Sequence, residues 1–175
     1  MGSCINKRVL EVGVGTGRLA KIILDKGCKH FTGIDISPNT IERAKTNLSM
    51  FKNCDLYVGN IEQYQKPSYF DVAYSVLTFM HIKNKEIALR NMITSIRKGG
   101  HIVISISNEK ERLEFGSWKV RLYSASISEY PKYFETMGCV VEPTIDLIDT
   151  FDKGASLESP GKKIATLIKA IKMID

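Results

Sequence analysis

The stretch Glu11-Val12-Gly13-Val14-Gly15-Thr16-Gly17 follows an apolar run at Arg8–Val12 and precedes Leu19, Ile22 and Ile23 at helical spacing. Glycines at alternate positions let the backbone turn tightly and let a ligand approach closer than a Cβ would permit. The helix start beyond them offers unpaired N–H groups. A turn of this kind also packs a helix closely onto a sheet, so the glycines alone fit either a ligand cradle or a packing turn. Their spacing is G-x-G-x-G, with Arg18 where a dinucleotide loop has its third glycine, which disfavours a nicotinamide or flavin dinucleotide.

Beyond the loop, β-branched apolar runs alternate with amphipathic stretches, the pattern of βαβ units closing on a parallel sheet. The pattern predicts strands at Arg8–Val12, His30–Ile34, Asp55–Val58, Phe70–Val76 and His101–Ser107. Ser37-Pro38 caps and opens a helix with Ile41, Ala44, Leu48 and Phe51 on its buried stripe. Further helices are expected at Lys85–Arg97, stopped by Gly99-Gly100, and at Ile127–Met137, ended by Gly138. The stretch Asn108–Ser124 reads as irregular. Two extended runs follow, Val140–Ile148 and Ile164–Met173, separated by a Gly, Ser and Pro-rich turn from Asp152 to Lys163. At 175 residues the chain is expected to form a single domain.

Asp35 narrows the choice between cradle and packing turn. It stands 18 positions after Gly17 at the carboxyl end of the second strand, where a carboxylate can accept both hydroxyl hydrogens of a ribose. An Asp there is commonly a helix cap, but Ser37 is better placed for that role. With Val9–Gly17 and Gly33-Ile34-Asp35-Ile36-Ser37 in hand, the sequence resembles the class I S-adenosylmethionine-dependent methyltransferases. Gly59-Asn60-Ile61-Glu62 is similar to the family's third motif, Phe70–Leu77 to its fourth, and Arg97–Val103 to the turn entering its fifth strand. Each later motif is weak alone; their order and spacing carry the resemblance.

The resemblance implies an α/β fold: a doubly wound, Rossmann-like, mostly parallel seven-stranded sheet of order 3-2-1-4-5-7-6. The last strand is antiparallel, in a three-layer αβα sandwich. It implies S-adenosylmethionine as cofactor and S-adenosylhomocysteine as product. It also implies that Gly13, Val14, Gly15 and Gly17 border the methionine moiety, with Glu11 acting indirectly near its amino group. Asp35 would hold the ribose, Ile36 would pack on adenine, Asn60 and Ile61 would meet the adenine edge, and Ser75 would lie beside the methionine part. The family usually has Asp where this chain has Asn60, whose amide oxygen can still accept from an adenine amino group. Family members carry helices before the first strand. About seven residues precede it here, so those cap helices are expected to be largely absent and the site to be covered by Asn108–Ser124 or by a second subunit of a homodimer.

On the acceptor side, His81 is the candidate to touch a substrate, the alternative being a His that caps or orients the next helix. Trp118 and Tyr123 fit either an acceptor wall or a cover for the sheet edge. The segment Ser75-Val76-Leu77-Thr78 lacks the Asn or Asp-Pro-Pro-aromatic sequence used on exocyclic amines, and no Pro-Cys pair serves attack on a pyrimidine ring. Adenine and cytosine methylation in DNA is therefore disfavoured, and an oxygen or nitrogen of a small molecule is the expected acceptor. The net charge of +6 permits RNA or protein substrates without demanding them, because the basic residues are scattered. A cofactor-binding fold serving as an interaction module is a third reading. Cys4, Cys28, Cys54 and Cys139 lie far apart without metal-ligand spacing, which fits reduced thiols in a cytoplasm and no metal centre. No apolar run of about 18 residues predicts a membrane span.

Overall fold

Strand β1 (Arg8–Val12) lies at the middle of a sheet, parallel to β2 (His30–Asp35) on one side and to β4 (Phe70–Val76) on the other. A strand in that position is covered on both faces, so Val9, Leu10, Glu11 and Val12 are all buried. The structure, a computed structural model, describes residues 4–107, 112–115, 118–123, 125–148 and 163–174. Outside β2 lies β3 (Cys54–Val58), and outside β4 lies β5 (Ile96–Ile106), both parallel to their neighbours. Strand β10 (Lys163–Lys172) is antiparallel to β5 and carries β8 (Cys139–Val141) and β9 (Ile145–Ile148) on its far side. The path β3-β2-β1-β4-β5-β10-β8 has the expected order and the expected antiparallel final strand.

Period-two alternation sends successive side chains to opposite faces. Leu10 and Val12 join Phe70, Leu89, Met92, Tyr130 and Phe134 beneath α3 (Lys85–Ser95) and α4 (Glu129–Thr136). Val9 joins Ile23, Leu24, Phe31, Ile41 and Leu48 beneath α1 (Arg18–Asp25) and α2 (Pro38–Asn47). The result is the three-layer sandwich.

Three details differ from expectation. The run Val140–Ile148 is two strands, making eight in the sheet: Glu142 N–H still donates to Lys169 O at 2.9 Å, but Pro143 has no N–H to continue the ladder. Helix α3 stops at Ser95 rather than Arg97, and Ile96 already pairs with Phe70. The register shifts after that pair, with Gly99 at φ +74°, so Gly99-Gly100 marks an irregularity inside β5 rather than a helix stop. Within Asn108–Ser124, β6 (Arg112–Phe115) and β7 (Trp118–Arg121) form an antiparallel hairpin. Alternation of charged and apolar residues in Arg-Leu-Glu-Phe and Trp-Lys-Val-Arg was the available signal. The side chain of Trp118 and the Asp152–Lys163 turn apart from Lys163 fall outside the described residues.

Helix α2 begins as its sequence demands. Ser37 Oγ accepts the Thr40 N–H at 3.3 Å, with Pro38 in the first helical turn. Ser37→Ala should therefore lower unfolding stability by about 1 kcal/mol in urea titrations, whereas Asn39→Ala, at an exposed position of the same turn, should change it by no more than about 0.5 kcal/mol.

Candidate functional site

The chain leaves β1 for β2 on one side and reaches β4 on the other, so a crevice opens at the carboxyl ends of these strands where the order reverses. The Gly13 and Val14 N–H groups both donate to Ile34 O, at 2.8 and 3.0 Å, which pins the start of the loop to the end of β2. Gly13 has φ +77°, and a Cβ there would lie 2.1 Å from Thr78 Oγ1, so the glycine is required by both backbone and neighbour. Gly15 has φ +56° with open space above it, and its N–H donates to Asp35 Oδ2 at 3.0 Å. Asp35 Oδ1 accepts the Ser37 N–H at 2.9 Å. The half-buried carboxylate thus ties the first loop to the second and still has unused lone pairs for a ligand.

The crevice encloses about 430 Å³. Its floor is Val12, Gly13 and Ile34; one wall is Asp35, Ile36, Gly59, Asn60, Ile61 and Glu62; the other is Val76, Leu77, Thr78, His81 and Ile82. Of the residues expected from sequence, it gathers Gly13, Asp35, Ile36, Asn60, Ile61 and His81. Ile36 is 73% exposed at its mouth, a large apolar side chain that a flat aromatic ligand would cover. Asn60 Oδ1 already accepts the Glu62 N–H at 2.9 Å, so one of its lone pairs is committed to the turn.

The other expected residues stand behind this surface. Ser75 is fully buried and its hydroxyl donates to Val12 O at 2.8 Å; it braces β4 against β1, and the wall is formed by its neighbours Val76, Leu77 and Thr78. Val14 is buried against Gly33, and a Cβ on Gly17 would meet Leu48 at 2.8 Å, so these two serve packing of the loop and α2. Glu11 is buried on the opposite face of β1 from Val12, and Tyr74 Oη donates to its Oε2 at 2.8 Å. Burial pushes the Glu11 carboxyl up to about 8, against the opposing pull of the Tyr74 hydrogen bond, with Asp35 adding to the rise. Burial and the adjacent Glu11 hold the Tyr74 phenol above its usual value.

His81 ends a short 3-10 turn, Phe79–His81, and is exposed to the crevice. Helix α3 takes Asn84 as its N-cap residue, so His81 does not cap it. Burial and then the Lys85 ammonium lower the imidazole pKa, which keeps it neutral at pH 7. Lys85 is buried, donates to Ile82 O at 2.8 Å and to Tyr123 O, and the Tyr123 N–H donates to Met80 O at 2.8 Å. The segment after the β6–β7 hairpin is thereby fastened to the turn that carries His81.

Leu77 and Thr78 were missed as wall residues. Leu77 has φ +52°, a left-handed conformation that costs a non-glycine residue about 1 kcal/mol or more, and its N–H is held by Ser105 O at 3.3 Å and Ser105 Oγ at 3.2 Å. Nothing in the identity of a leucine signals that conformation. A second groove of about 420 Å³ lies at the amino ends of β1 and β4, among Lys7, Asp71, Arg97, His101, Glu142 and Lys169. It lacks the converging loop N–H groups and the switch in strand order, so size does not distinguish the two but geometry does. Among the described residues no group of three or more His, Cys, Asp or Glu could hold a metal ion, and no helix is long and apolar enough to cross a membrane.

A family model described as a methyltransferase domain matches residues 5–160. A malonyl-[acyl-carrier protein] O-methyltransferase of Ilyobacter polytropus is 32% identical over 98 residues, covering 55% of this chain and 38% of that protein. An O-methyltransferase of Aspergillus nomiae is 28% identical over 109 residues, covering 60% of this chain and 48% of that protein. The chain thus spans less than half the length of these relatives. An S-adenosylmethionine dependent methyltransferase of Mesorhizobium loti shares the fold with a TM-score of 0.82 at 14% identity, over 98% of this chain and 94% of that one. Magnesium protoporphyrin IX methyltransferase of Synechocystis, solved with bound S-adenosylmethionine, gives a TM-score of 0.74 at 14% identity, over 98% and 72% of the two chains.

The glycine geometry makes a graded prediction. Gly13→Ala, which combines positive φ with the Thr78 clash, should cost about 1–3 kcal/mol more than Gly15→Ala, which meets open space. Equal losses in denaturant titrations would contradict the arrangement of the loop against Thr78.

Proposed function

Because the chain belongs to the methyltransferase domain family, we propose that it is an S-adenosylmethionine-dependent methyltransferase acting on an oxygen acceptor carried by a small molecule or a carrier-borne acyl group. One observation carries the cofactor part of this reading: the crevice at the strand switch point, with the Asp35 carboxylate on one wall and Ile36 exposed beside it. A ribose diol suits the unused lone pairs of Asp35, and an adenine ring suits the apolar surface of Ile36 and Ile61. Space over Gly15 admits ligand atoms where a side chain would stand.

When bound, the cofactor supplies an electrophilic methyl group on a sulfonium. The tasks left to this chain are to hold two reactants close, to exclude water and to keep the acceptor unprotonated. Leu77, Val76 and Ile82 form an apolar wall suited to excluding water. His81 is neutral at pH 7 and can accept a proton from a hydroxyl acceptor; a carboxylate acceptor would need no base. The choice of oxygen rests on the two relatives named as O-methyltransferases, one acting on malonyl-[acyl-carrier protein].

Calorimetric titration should show binding of S-adenosylmethionine and S-adenosylhomocysteine, weakened about ten-fold or more by Asp35→Ala through loss of charge-assisted hydrogen bonds. Absence of binding to the unaltered protein would overturn the proposal. With labelled cofactor, methyl transfer to malonyl thioesters would support the oxygen acceptor, and transfer confined to amines or RNA would replace it.

A further inference from the structure

The first residues of α3 turn their side chains to the crevice rather than to their own helix. Asn84, the N-cap residue, makes no side-chain capping bond; its amide donates instead to Glu62 Oε2 at 2.8 Å, on the wall that carries Asp35. Lys85 places a cation at the helix end where the dipole is already positive, and it is 8% exposed. Among the described residues no carboxylate lies within ion-pair distance of it, and the acidic group that bears on it from further away is Glu129 of α4. Its ammonium donates to Ile82 O at 2.8 Å and to Tyr123 O, with the Tyr123 ring centroid 5.9 Å away. The Tyr123 N–H donates in turn to Met80 O at 2.8 Å. An apolar side chain of similar volume would pack here without the solvation cost of a buried cation, so packing does not explain a lysine. Joining carbonyls from two distant segments does.

We propose that Lys85 is a positioning residue for the methyl acceptor: its ammonium locks the turn from Phe79 to Ile82 onto the segment at Tyr123 and so fixes the crevice wall that His81 and Ile82 form. The inference rests on the methyltransferase reading above and assigns Lys85 to the acceptor, apart from the cofactor contacts at Asp35. The start of the turn is anchored without it, because Phe79 is fully buried with its ring against Tyr130 of α4, centroids 6.3 Å apart. The end of the turn, at His81 and Ile82, depends on the bonds made through Met80 O and Ile82 O. None of these bonds involves the glycine loop or Asp35. Loss of the ammonium therefore frees the end that bears the imidazole and leaves the Asp35 junction intact.

The same ammonium acts on the imidazole through space. The charged groups facing His81 are Lys85 from α3 and, around the crevice, Asp35 at the end of β2 and Glu62 after β3. Burial and then Lys85 disfavour the protonated ring. Removing the ammonium thus moves the His81 titration upward, and the acid limb of a reaction that uses the neutral ring moves to higher pH with it.

The test uses Lys85→Met, which removes the charge and the donors and keeps much of the side-chain volume, with thermal melting to verify folding. It is compared with the unaltered protein by magnetic resonance titration of the His81 ring, by amide hydrogen exchange and by calorimetry with S-adenosylhomocysteine. Methyl transfer from labelled S-adenosylmethionine is measured to whichever of malonyl thioesters, amines and RNA the unaltered protein methylates. We expect the His81 titration to move to higher pH, and exchange of the Tyr123 amide to speed about ten-fold or more while that of Leu10 is unchanged. Transfer should fall about ten-fold or more, with S-adenosylhomocysteine bound within about two-fold of the unaltered protein. If Lys85→Met fails to fold, Lys85→Gln, uncharged and still a donor, carries the same expectations for His81, for transfer and for the ligand. An unmoved His81 titration, or S-adenosylhomocysteine binding lost in step with transfer, would make Lys85 a packing residue only and overturn the inference. Failure of the unaltered protein to bind S-adenosylhomocysteine would instead remove the methyltransferase reading, and this inference with it.

Discussion

Two backbone N–H groups from two different loops meet on one side chain, the carboxylate of Asp35. Gly15 donates from the turn after β1 and Ser37 from the turn after β2, at 3.0 and 2.9 Å. Hydrogen bonds to a charged acceptor contribute about 1.5–3 kcal/mol each, so this junction holds the glycine loop in place more firmly than loop sequence alone could. Everything else at the crevice is arranged from there. Ile36 projects from the residue beyond, α2 starts from Ser37, and Gly13 lies against Thr78 of the opposite wall. The Asp35 carboxylate keeps lone pairs to spare in a position already fixed by the fold, which is what the proposed ribose contact requires.

The crevice also concentrates features that stability alone would not choose. Leu77 holds a left-handed backbone and Ile36 leaves most of its surface exposed. Each carries a free-energy cost, and both line one crevice. Backbone strain and exposed apolar surface found together mark surfaces shaped for a ligand. The second groove, at the amino ends of the strands, shows a different character. There Arg97 is paired with Asp71 and Lys169 approaches Glu142, so its charges answer one another.

Much of this fold is legible in the amino-acid sequence. Buried parallel strands announce themselves as runs rich in apolar and β-branched residues, interrupted here by Glu11, Thr32 and Ser75, and β1, β2 and β4 lie within a residue of where their sequences put them. The Ser37-Pro38 start of α2 was equally plain, since capping is local chemistry. The placement of the glycine loop and of Asp35 at one crevice could be read because glycines and a strand-end acid carry backbone and acceptor chemistry in their residue types. What escaped depended on tertiary context. Whether Ser75 faces a cleft or its neighbour strand is decided by the pleat and by Val12 O, and the left-handed Leu77 by the pull of Ser105. The break at Pro143 and the hairpin within Asn108–Ser124 were present in the sequence as a missing donor and a period of two, obscured by charge. The wall from Val76 to Ile82 was harder to read because its residues come from turns, where no short motif fixes geometry.

The central claim is that the carboxyl-end crevice, organised by Asp35, is where the cofactor binds. Amide chemical shifts of the isotope-labelled protein, followed while S-adenosylhomocysteine is added, test it most directly. The account predicts that the largest changes fall on Gly13, Gly15, Asp35, Ile36, Asn60, Ile61 and Leu77, and that the groove formed by Lys7, Arg97, His101 and Lys169 stays unchanged. Changes centred on that groove, with Gly15 and Ile36 unmoved, would contradict it.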